Sequence, residues 1–440
     1  MKKYALLIIG ILFFYCNDSY AQSKIWSLQD CIQYAIEHNV TVKKTELDKT
    51  TAELNYKQSK YNRMPSLSGS ISGNISNGAA VDPITSNFVN QQVFSNNYGL
   101  SGSLTLYQGG KLNLQIQQNK ILLQKSDLYI QASKNDITLS IIEAYIQALY
   151  YNEGITIAEN TLNSSTEELK QTQIKFNNGA ISQLELSNME TQNSNNEYNV
   201  VTAKNQYAQQ VLELKQLLEL NLDDEFEIQN LKLDDIAIVI PNKEEVFKKA
   251  VATLPDLKIY DLAQQSLEKS IKIARAAYLP TISLGFGLSS GYTTTMDYDY
   301  GYQLKTNFKQ YGSLSLNIPI FSKLQERTNI RLAKVQLQQN DLDKVATTKA
   351  LYSKIETAYQ NAVVNEAQAT SSQKTRDNAK LAYELASKKY SFGGLTATDL
   401  SVSRNTYLNA EQTYLQNKYL TVLYQYLLDF YQGKSLTNIQ

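Results

Sequence analysis

Histidine and cysteine are almost missing from this chain of 440 residues, which contains one histidine and two cysteines. This scarcity excludes a zinc site built from these residue types and a scaffold held by disulfides. An excess of charge of one sign is also missing, because 42 basic residues balance 42 acidic ones. The balance argues against a nucleic-acid partner and against a long acidic tail. No set of nucleophile, base and orienting acid can be assembled, so an enzyme is disfavoured.

Long apolar runs are missing beyond the N-terminus. There, a basic start and an apolar run over residues 4–15 precede small residues at 19 and 21. This order is typical of a secretory signal peptide, so we expect residues 1–21 to be removed. A retained membrane anchor would need about 20 apolar residues, and the run is shorter than that. A lipid-modified Cys16 is disfavoured because bulky aromatic residues precede it.

Short motifs recur in the same order at a nearly constant interval, which indicates a tandem duplication. The Met-Pro-Ser-Leu sequence at 64–67 matches Leu-Pro-Thr-Ile at 279–282. Lys175–Gly179 likewise matches Lys389–Gly393. The number of residues from Gly179 to Gly393 is called here the repeat interval. The predicted repeats are residues 22–230 and 231–440.

Each repeat contains two runs in which apolar residues alternate with serine, glycine, threonine or asparagine. The predicted strands lie at about 67–75, 99–107, 281–289 and 312–320. Strands with one apolar and one small polar face favour a membrane β-barrel with a wet interior. A half-buried hairpin on a soluble domain is the alternative. Four strands cannot close a barrel, and open edges are not tolerated in lipid. We therefore expect a barrel to be shared between subunits, and three chains would supply twelve strands, enough to close with a channel.

Two long helical hairpins are predicted after the strands, at about 112–220 and 324–432, because helix breakers are rare there. The middle of these helices is polar nearly all round, which is typical of helices with water on two sides. A coiled-coil stalk would need sustained apolar heptads, which these segments lack.

In their order and spacing, these motifs resemble the TolC-like outer-membrane efflux proteins over essentially the whole mature length. The resemblance rests on the repeat, on the Leu-Pro-Thr entry to a strand, and on the turns at 104–110, 178–182, 316–322 and 393–396. One departure is that Ser322-Lys323 stands where the first repeat has Gly109-Gly110. The second strand-to-helix turn is therefore expected to differ from the first.

The resemblance implies a mainly helical fold with a membrane β-barrel contribution. The implied homotrimer has a twelve-stranded barrel in outer-membrane lipid and a twelve-helix barrel in the periplasm. Its implied function is a passive exit duct for efflux, fed by an inner-membrane pump through a periplasmic adaptor protein, and no cofactor is implied. The outer-membrane part of an ATP-driven (type I) protein secretion system is an alternative within this class. A trimeric coiled-coil surface protein without a pore is the alternative from another class.

By the same resemblance, the two helix turns form the periplasmic tip that touches the adaptor. The expected contact residues are Gly179, Ala180, Ile181, Gly393, Gly394 and Leu395. Glycine permits a tight reversal, and an exposed apolar side chain offers a contact surface. A plain hairpin turn without a partner is the alternative.

Glu185 and Asp399 lie six residues beyond Gly179 and Gly393, where the resemblance implies that the channel narrows. In a trimer these acids would form two rings of three carboxylates that favour cations at the periplasmic aperture. Acids in the first turn of a helix also favour the helix dipole without any gate. The residues alone leave both interpretations open.

Overall fold

The computed structural model describes residues 25–81, 87–221, 223–230 and 239–434. The predicted signal peptide lies outside the described residues. The chain divides into two compact units. The first contains the residues up to 43, 132–254 and those from 350 onward, and the second contains 44–131 and 255–349. Each unit therefore combines parts of both sequence repeats.

Helices make up most of the described chain, and their bounds recur at constant intervals. They are α1 (Leu28–His38), α2 (Val40–Tyr61), α3 (Lys111–Asn177), α4 (Gln183–Leu218), α5 (Lys243–Thr253), α6 (Pro255–Ala276), α7 (Tyr300–Thr306), α8 (Gln325–Ser391) and α9 (Ala397–Tyr431). The first and last residues of α3 each lie one repeat interval before those of α8. The first and last residues of α2 each lie one repeat interval plus one residue before those of α6. These intervals confirm the predicted tandem repeat and the mainly helical fold.

α3 and α8 each contain 67 residues, which corresponds to about 100 Å at 1.5 Å per residue. Within the described ranges, no helix combines the length and the apolar character needed to cross a lipid bilayer.

Six strands accompany the helices: β1 (Ile25–Trp26), β2 (Ser66–Val81), β3 (Phe88–Gln108), β4 (Glu227–Ile228), β5 (Thr281–Thr293) and β6 (Lys309–Asn317). β2 and β3 extend well beyond the predicted strand bounds, into the stretch between residues 75 and 99, because backbone pairing continues where the side chains no longer alternate in polarity. β6 ends three residues before the predicted boundary. Pro319 follows it closely and has no N–H to donate to a ladder.

Four of these strands form an antiparallel sheet in the second unit, in the spatial order β2-β3-β5-β6. Residues paired across the ladder lie on the same face. Leu104, Leu284 and Leu314 form one such row. The next row, on the opposite face, is Thr105, Ser283 and Ser315. The sheet therefore has one apolar and one small polar face, as the alternation predicts.

The apolar face of the sheet is bare in the single chain. Ile71 of β2 is 78% exposed and Leu314 of β6 is 71% exposed. The polar face holds cross-strand hydrogen bonds between serine hydroxyls, such as the 2.9 Å contact between Ser66 Oγ and Ser103 Oγ. Among the described residues, β2 and β6 each pair with one neighbour only, so one edge of each strand is open.

The two strand-to-helix turns have the same left-handed backbone but different residues. Gly109 and Gly110 have φ of +58° and +76°. Lys323 and Leu324, which lie one repeat interval farther along the chain, have φ of +55° and +61°. The sequence alignment of Ser322-Lys323 with the two glycines was therefore wrong by one residue. The sequence gives no sign that Lys323 and Leu324 are equivalent to the two glycines, because non-glycine residues rarely adopt this conformation. It costs them about 1–2 kcal/mol per residue.

Leu324→Gly should raise the stability of the second unit by about 1 kcal/mol, because it removes this strain. Gly110→Leu introduces the same strain in the other repeat and should lower the stability by a similar amount. Thermal unfolding of the detergent-solubilised protein, followed by circular dichroism, compares the two variants. A lower melting temperature for Leu324→Gly would contradict the strain argument.

The largest apolar core of the first unit surrounds Tyr145 of α3, which is fully buried together with Cys31 of α1. The Tyr145 hydroxyl lies 3.0 Å from the main-chain oxygen of Trp26 and 2.8 Å from that of Gln229. Trp26 belongs to β1, which pairs in parallel with β4. One side chain thus ties α3 to both short strands.

Tyr145→Phe should destabilise the first unit by about 1–3 kcal/mol, because buried carbonyls lose a hydrogen-bond donor. Tyr359 of α8 is the matched control, since it lies one repeat interval farther along and no partner of its hydroxyl is found within the described ranges. Tyr359→Phe should leave the melting temperature unchanged. Equal effects of the two substitutions would refute the assigned role of the hydroxyl.

Candidate functional site

The two helical hairpins, α3–α4 and α8–α9, reverse through turns of the same design. Gly179 and Gly393 have φ of +74° and +75°, a conformation that suits glycine. In the first turn, Gly179 N–H donates to Phe176 O at 2.8 Å and Ala180 N–H donates to Lys175 O at 2.9 Å. The same pair of hydrogen bonds closes the second turn. These contacts satisfy the last carbonyl groups of α3 and α8.

The helices that leave the turns are capped by hydroxyl residues. Ser182 and Thr396 are the N-caps of α4 and α9, and their Oγ atoms accept from the main-chain N–H of Glu185 and Asp399 at 3.2 Å. Asp399 also accepts a hydrogen bond of 2.8 Å from the Thr396 hydroxyl. Both acids therefore lie in the first turn of a helix, where a negative charge is favoured by the dipole.

The two turns face each other across a groove of about 530 Å³, called here the tip groove. Its lining includes Ala180, Ile181, Glu185, Gly393, Gly394, Leu395 and Asp399. The structure thus brings together most of the residues that the sequence singled out. Gly179 is not among the lining residues and acts by closing its turn.

Sequence reasoning missed further residues of the tip groove, among them Lys175, Tyr390 and Phe392. The Phe392 side chain is 89% exposed beside Gly393. Tyr390 is buried, and its hydroxyl lies 2.6 Å from Thr172 Oγ1. Lys175 Nζ donates to Tyr390 O at 2.6 Å and lies 4.3 Å from the centre of the Tyr390 ring. All three belong to the repeated motif that ends in Gly179 or Gly393, and that repetition was the available signal.

A buried ionic cluster joins the two hairpins farther from the turns. Arg404 of α9 is 1% exposed, and its guanidinium forms an ion pair with Glu168 of α3, which is 6% exposed. Tyr383 of α8 donates to Glu168 Oε1 at 3.1 Å, and Arg404 Nε lies 3.5 Å from the Tyr383 hydroxyl. We call these three residues the ionic cluster.

Burial lowers the pKa of Arg404 to about 10, because removal from water penalises the charged form. Burial also raises the pKa of Tyr383, which keeps its hydroxyl protonated as a donor. The guanidinium is therefore still charged at neutral pH. Removal of one member of a buried ion pair typically costs about 3–5 kcal/mol, since the other charge remains without a partner.

In the described part of the chain, no group of histidine, cysteine, aspartate or glutamate residues is arranged to hold a metal ion.

Comparison with known proteins agrees with this geometry. The family model of the outer membrane efflux protein matches residues 31–219 and 246–427. The chain is similar to the solved structure of CusC, with 18% identity, a TM-score of 0.72, and coverage of 95% of this chain and 96% of that chain. It is also similar to the Campylobacter jejuni CmeC outer membrane channel, with 19% identity, a TM-score of 0.77, and coverage of 93% and 87%.

The Neisseria gonorrhoeae MtrE outer membrane channel is a third similar structure, with 19% identity, a TM-score of 0.73, and coverage of 92% and 88%. At these identities the likeness shows the fold alone. No curated protein sequence matches the chain. Because the family model matches well over half of its residues, the chain belongs to the outer membrane efflux protein family, as its motifs predict, and is an outer-membrane efflux protein rather than an enzyme.

Proposed function

We propose that three copies of this chain form the exit duct of a tripartite efflux system. Substrates enter the duct from an inner-membrane pump through a periplasmic adaptor, and the duct itself is passive. The observation that carries the proposal is the four-stranded sheet with two open edges and one bare apolar face.

The open edges argue for a shared barrel. Unpaired backbone groups cost several kcal/mol each in hydrocarbon, so a sheet in lipid must close on itself. If β6 of one copy pairs with β2 of the next, three copies supply twelve strands and the antiparallel alternation continues. The apolar face then meets lipid, and the face of serine, glycine and threonine lines a wet interior.

The tip groove is the proposed contact surface for the adaptor. Ala180, Ile181, Gly393, Gly394 and Leu395 line it, Gly179 closes the adjoining turn, and the exposed Phe392 ring adds apolar area beside them. Exposed apolar groups around tight turns favour docking of another protein.

Glu185 and Asp399 are the proposed acids of the periplasmic aperture. Both line the tip groove, which supports a role in the passage of ions. Their position in the first turn of α4 and α9 is compatible with this role, because the helix dipole favours negative charge there.

Leu314→Lys should prevent membrane assembly, because a cation on the lipid face costs about 2–4 kcal/mol in each copy. The adjacent Ser315→Lys is the matched control, since this residue lies on the other face of the same strand. It should assemble and form a channel of lower cation conductance in planar bilayers. Normal assembly of Leu314→Lys, or no conductance from the unmodified protein, would contradict the duct.

Ile181→Asp should abolish export while the trimer still forms, because a charge replaces an apolar group at the adaptor contact. Val201→Asp makes the same change at an exposed residue of α4 away from the turn. Export is measured as the sensitivity of cells to the transported compound, with trimer yield measured in parallel. Unchanged sensitivity in the Ile181 variant would count against the tip assignment.

Glu185→Ala combined with Asp399→Ala should lower the preference for cations, seen as a shifted reversal potential in a salt gradient. Glu190→Ala combined with Glu213→Ala removes the same charge from positions farther along α4. This control should leave the reversal potential unchanged. Identical reversal potentials for all three proteins would rule out the acidic aperture.

A further inference from the structure

The ionic cluster lies at one level of the two hairpins. Glu168 precedes Gly179 by 11 residues, Arg404 follows Gly393 by 11, and Tyr383 precedes Gly393 by 10. At 1.5 Å per residue, all three lie about 15–17 Å along their helices from the turns. The cluster therefore connects α3, α8 and α9 at a single height.

The cluster joins residues of both repeats and has no counterpart at the repeat-related positions. The residues related to Glu168, Tyr383 and Arg404 by the repeat interval are Ala382, Leu169 and Glu190. Ala382 and Glu190 cannot form an ion pair, and both are exposed in the single chain. The buried charges thus belong to the interface between the two hairpins of one chain. The repeat-related interface, between α8 and α4, has no such pair at these positions.

The contacts between the cluster and the turns are of a different kind. Thr172 and Tyr390 share a hydrogen bond between buried hydroxyls, the Lys175 ammonium is only partly buried, and Met189, Ala397 and Leu400 pack with Tyr390 in a small apolar core. These contacts involve neutral groups and one partly solvated ammonium, whereas separation of buried charges in a dry interior is strongly unfavourable. Among the contacts described at this end of the hairpins, the ionic cluster is therefore the level at which buried charge opposes their separation.

We propose that the ionic cluster is the fixed point of the tip. It clamps the two hairpins of one chain together, so that opening is confined to the residues between the cluster and the turns, about 169–178, 384–392 and 394–403. The inference rests on the proposed function, because a tip that opens is a property of the duct. Glu168, Arg404 and Tyr383 act as positioning residues and touch no cargo.

Hydrogen exchange of the intact trimer locates the clamp without any transport assay. In the unmodified protein, the amide hydrogens of α3 and α9 should exchange quickly between the turns and Glu168 or Arg404. Beyond these two residues, away from the turns, they should exchange slowly. Glu168→Gln with Arg404→Met removes both charges, and the fast segments should then extend past these positions with rates raised about tenfold. Glu168→Arg with Arg404→Glu should restore the original boundary.

Lys204 and Glu159 provide the matched control, because they form a solvent-exposed ion pair between α4 and α3. Lys204→Ala with Glu159→Ala should leave the exchange boundary in place. A boundary that does not coincide with the cluster would overturn the proposal. So would an unchanged boundary in a folded variant without the two charges. If that variant does not fold, the charge-reversed variant and the unmodified protein still decide the question.

Cross-linking across the hairpins tests the consequence for the channel. With Cys31 replaced by alanine, Glu167→Cys with Thr406→Cys places two thiols beside the cluster, and Asn178→Cys with Ser391→Cys places two at the turns. A cleavable bismaleimide should leave conductance unchanged at the first pair and block opening at the second. Reduction should reverse the block. A block at the first pair would overturn the clamp. Absence of conductance in every protein would refute the duct, while the exchange boundary would still test the clamp.

Discussion

Backbone hydrogen bonding at the two outer strands of the sheet is the constraint on which the rest depends. β2 and β6 present donors and acceptors that no other described strand satisfies. Water could solvate these groups, but the bare apolar face beside them favours lipid over water. A surface that needs lipid and an edge that cannot face lipid are compatible only when further copies complete the sheet. The proposed trimer meets both requirements, and its twelve strands leave room for a channel.

Each repeat contributes two strands of the sheet and one helical hairpin. The two repeats differ in sequence where their roles differ. Both turns use glycine with positive φ, and both outgoing helices begin with a hydroxyl cap and an acid. In contrast, the second strand-to-helix turn uses Lys323 and Leu324 in a conformation that the first builds from glycine. The ionic cluster joins α3 to α8 and α9, and the repeat-related interface between α8 and α4 has no counterpart. Equivalent backbones thus carry different interactions in the two repeats.

Much of this architecture could be predicted from the sequence. Helix bounds of α3 and α8 follow from breakers and from the repeat interval, and the faces of the sheet follow from alternation. Strand length was underestimated because Asn- and Gln-rich segments continue the ladder without a hydrophobic signal. The ionic cluster was missed because Glu168, Tyr383 and Arg404 are polar residues on three separate helices. No periodicity marks residues that become buried only through tertiary contact.

The number of chains that enclose the channel is the most direct test of the account. A cysteine placed in β2 at Ser70 and another in β6 at Lys309, which lie on the same face of the sheet, allow a bismaleimide to join the edges of neighbouring copies in a Cys31→Ala background. Denaturing electrophoresis of the cross-linked protein, extracted in mild detergent, should show dimers and trimers and no larger species. The account predicts that complete cross-linking converts the protein to trimers. Monomers at every cross-linker concentration, or a ladder that continues beyond three, would contradict it.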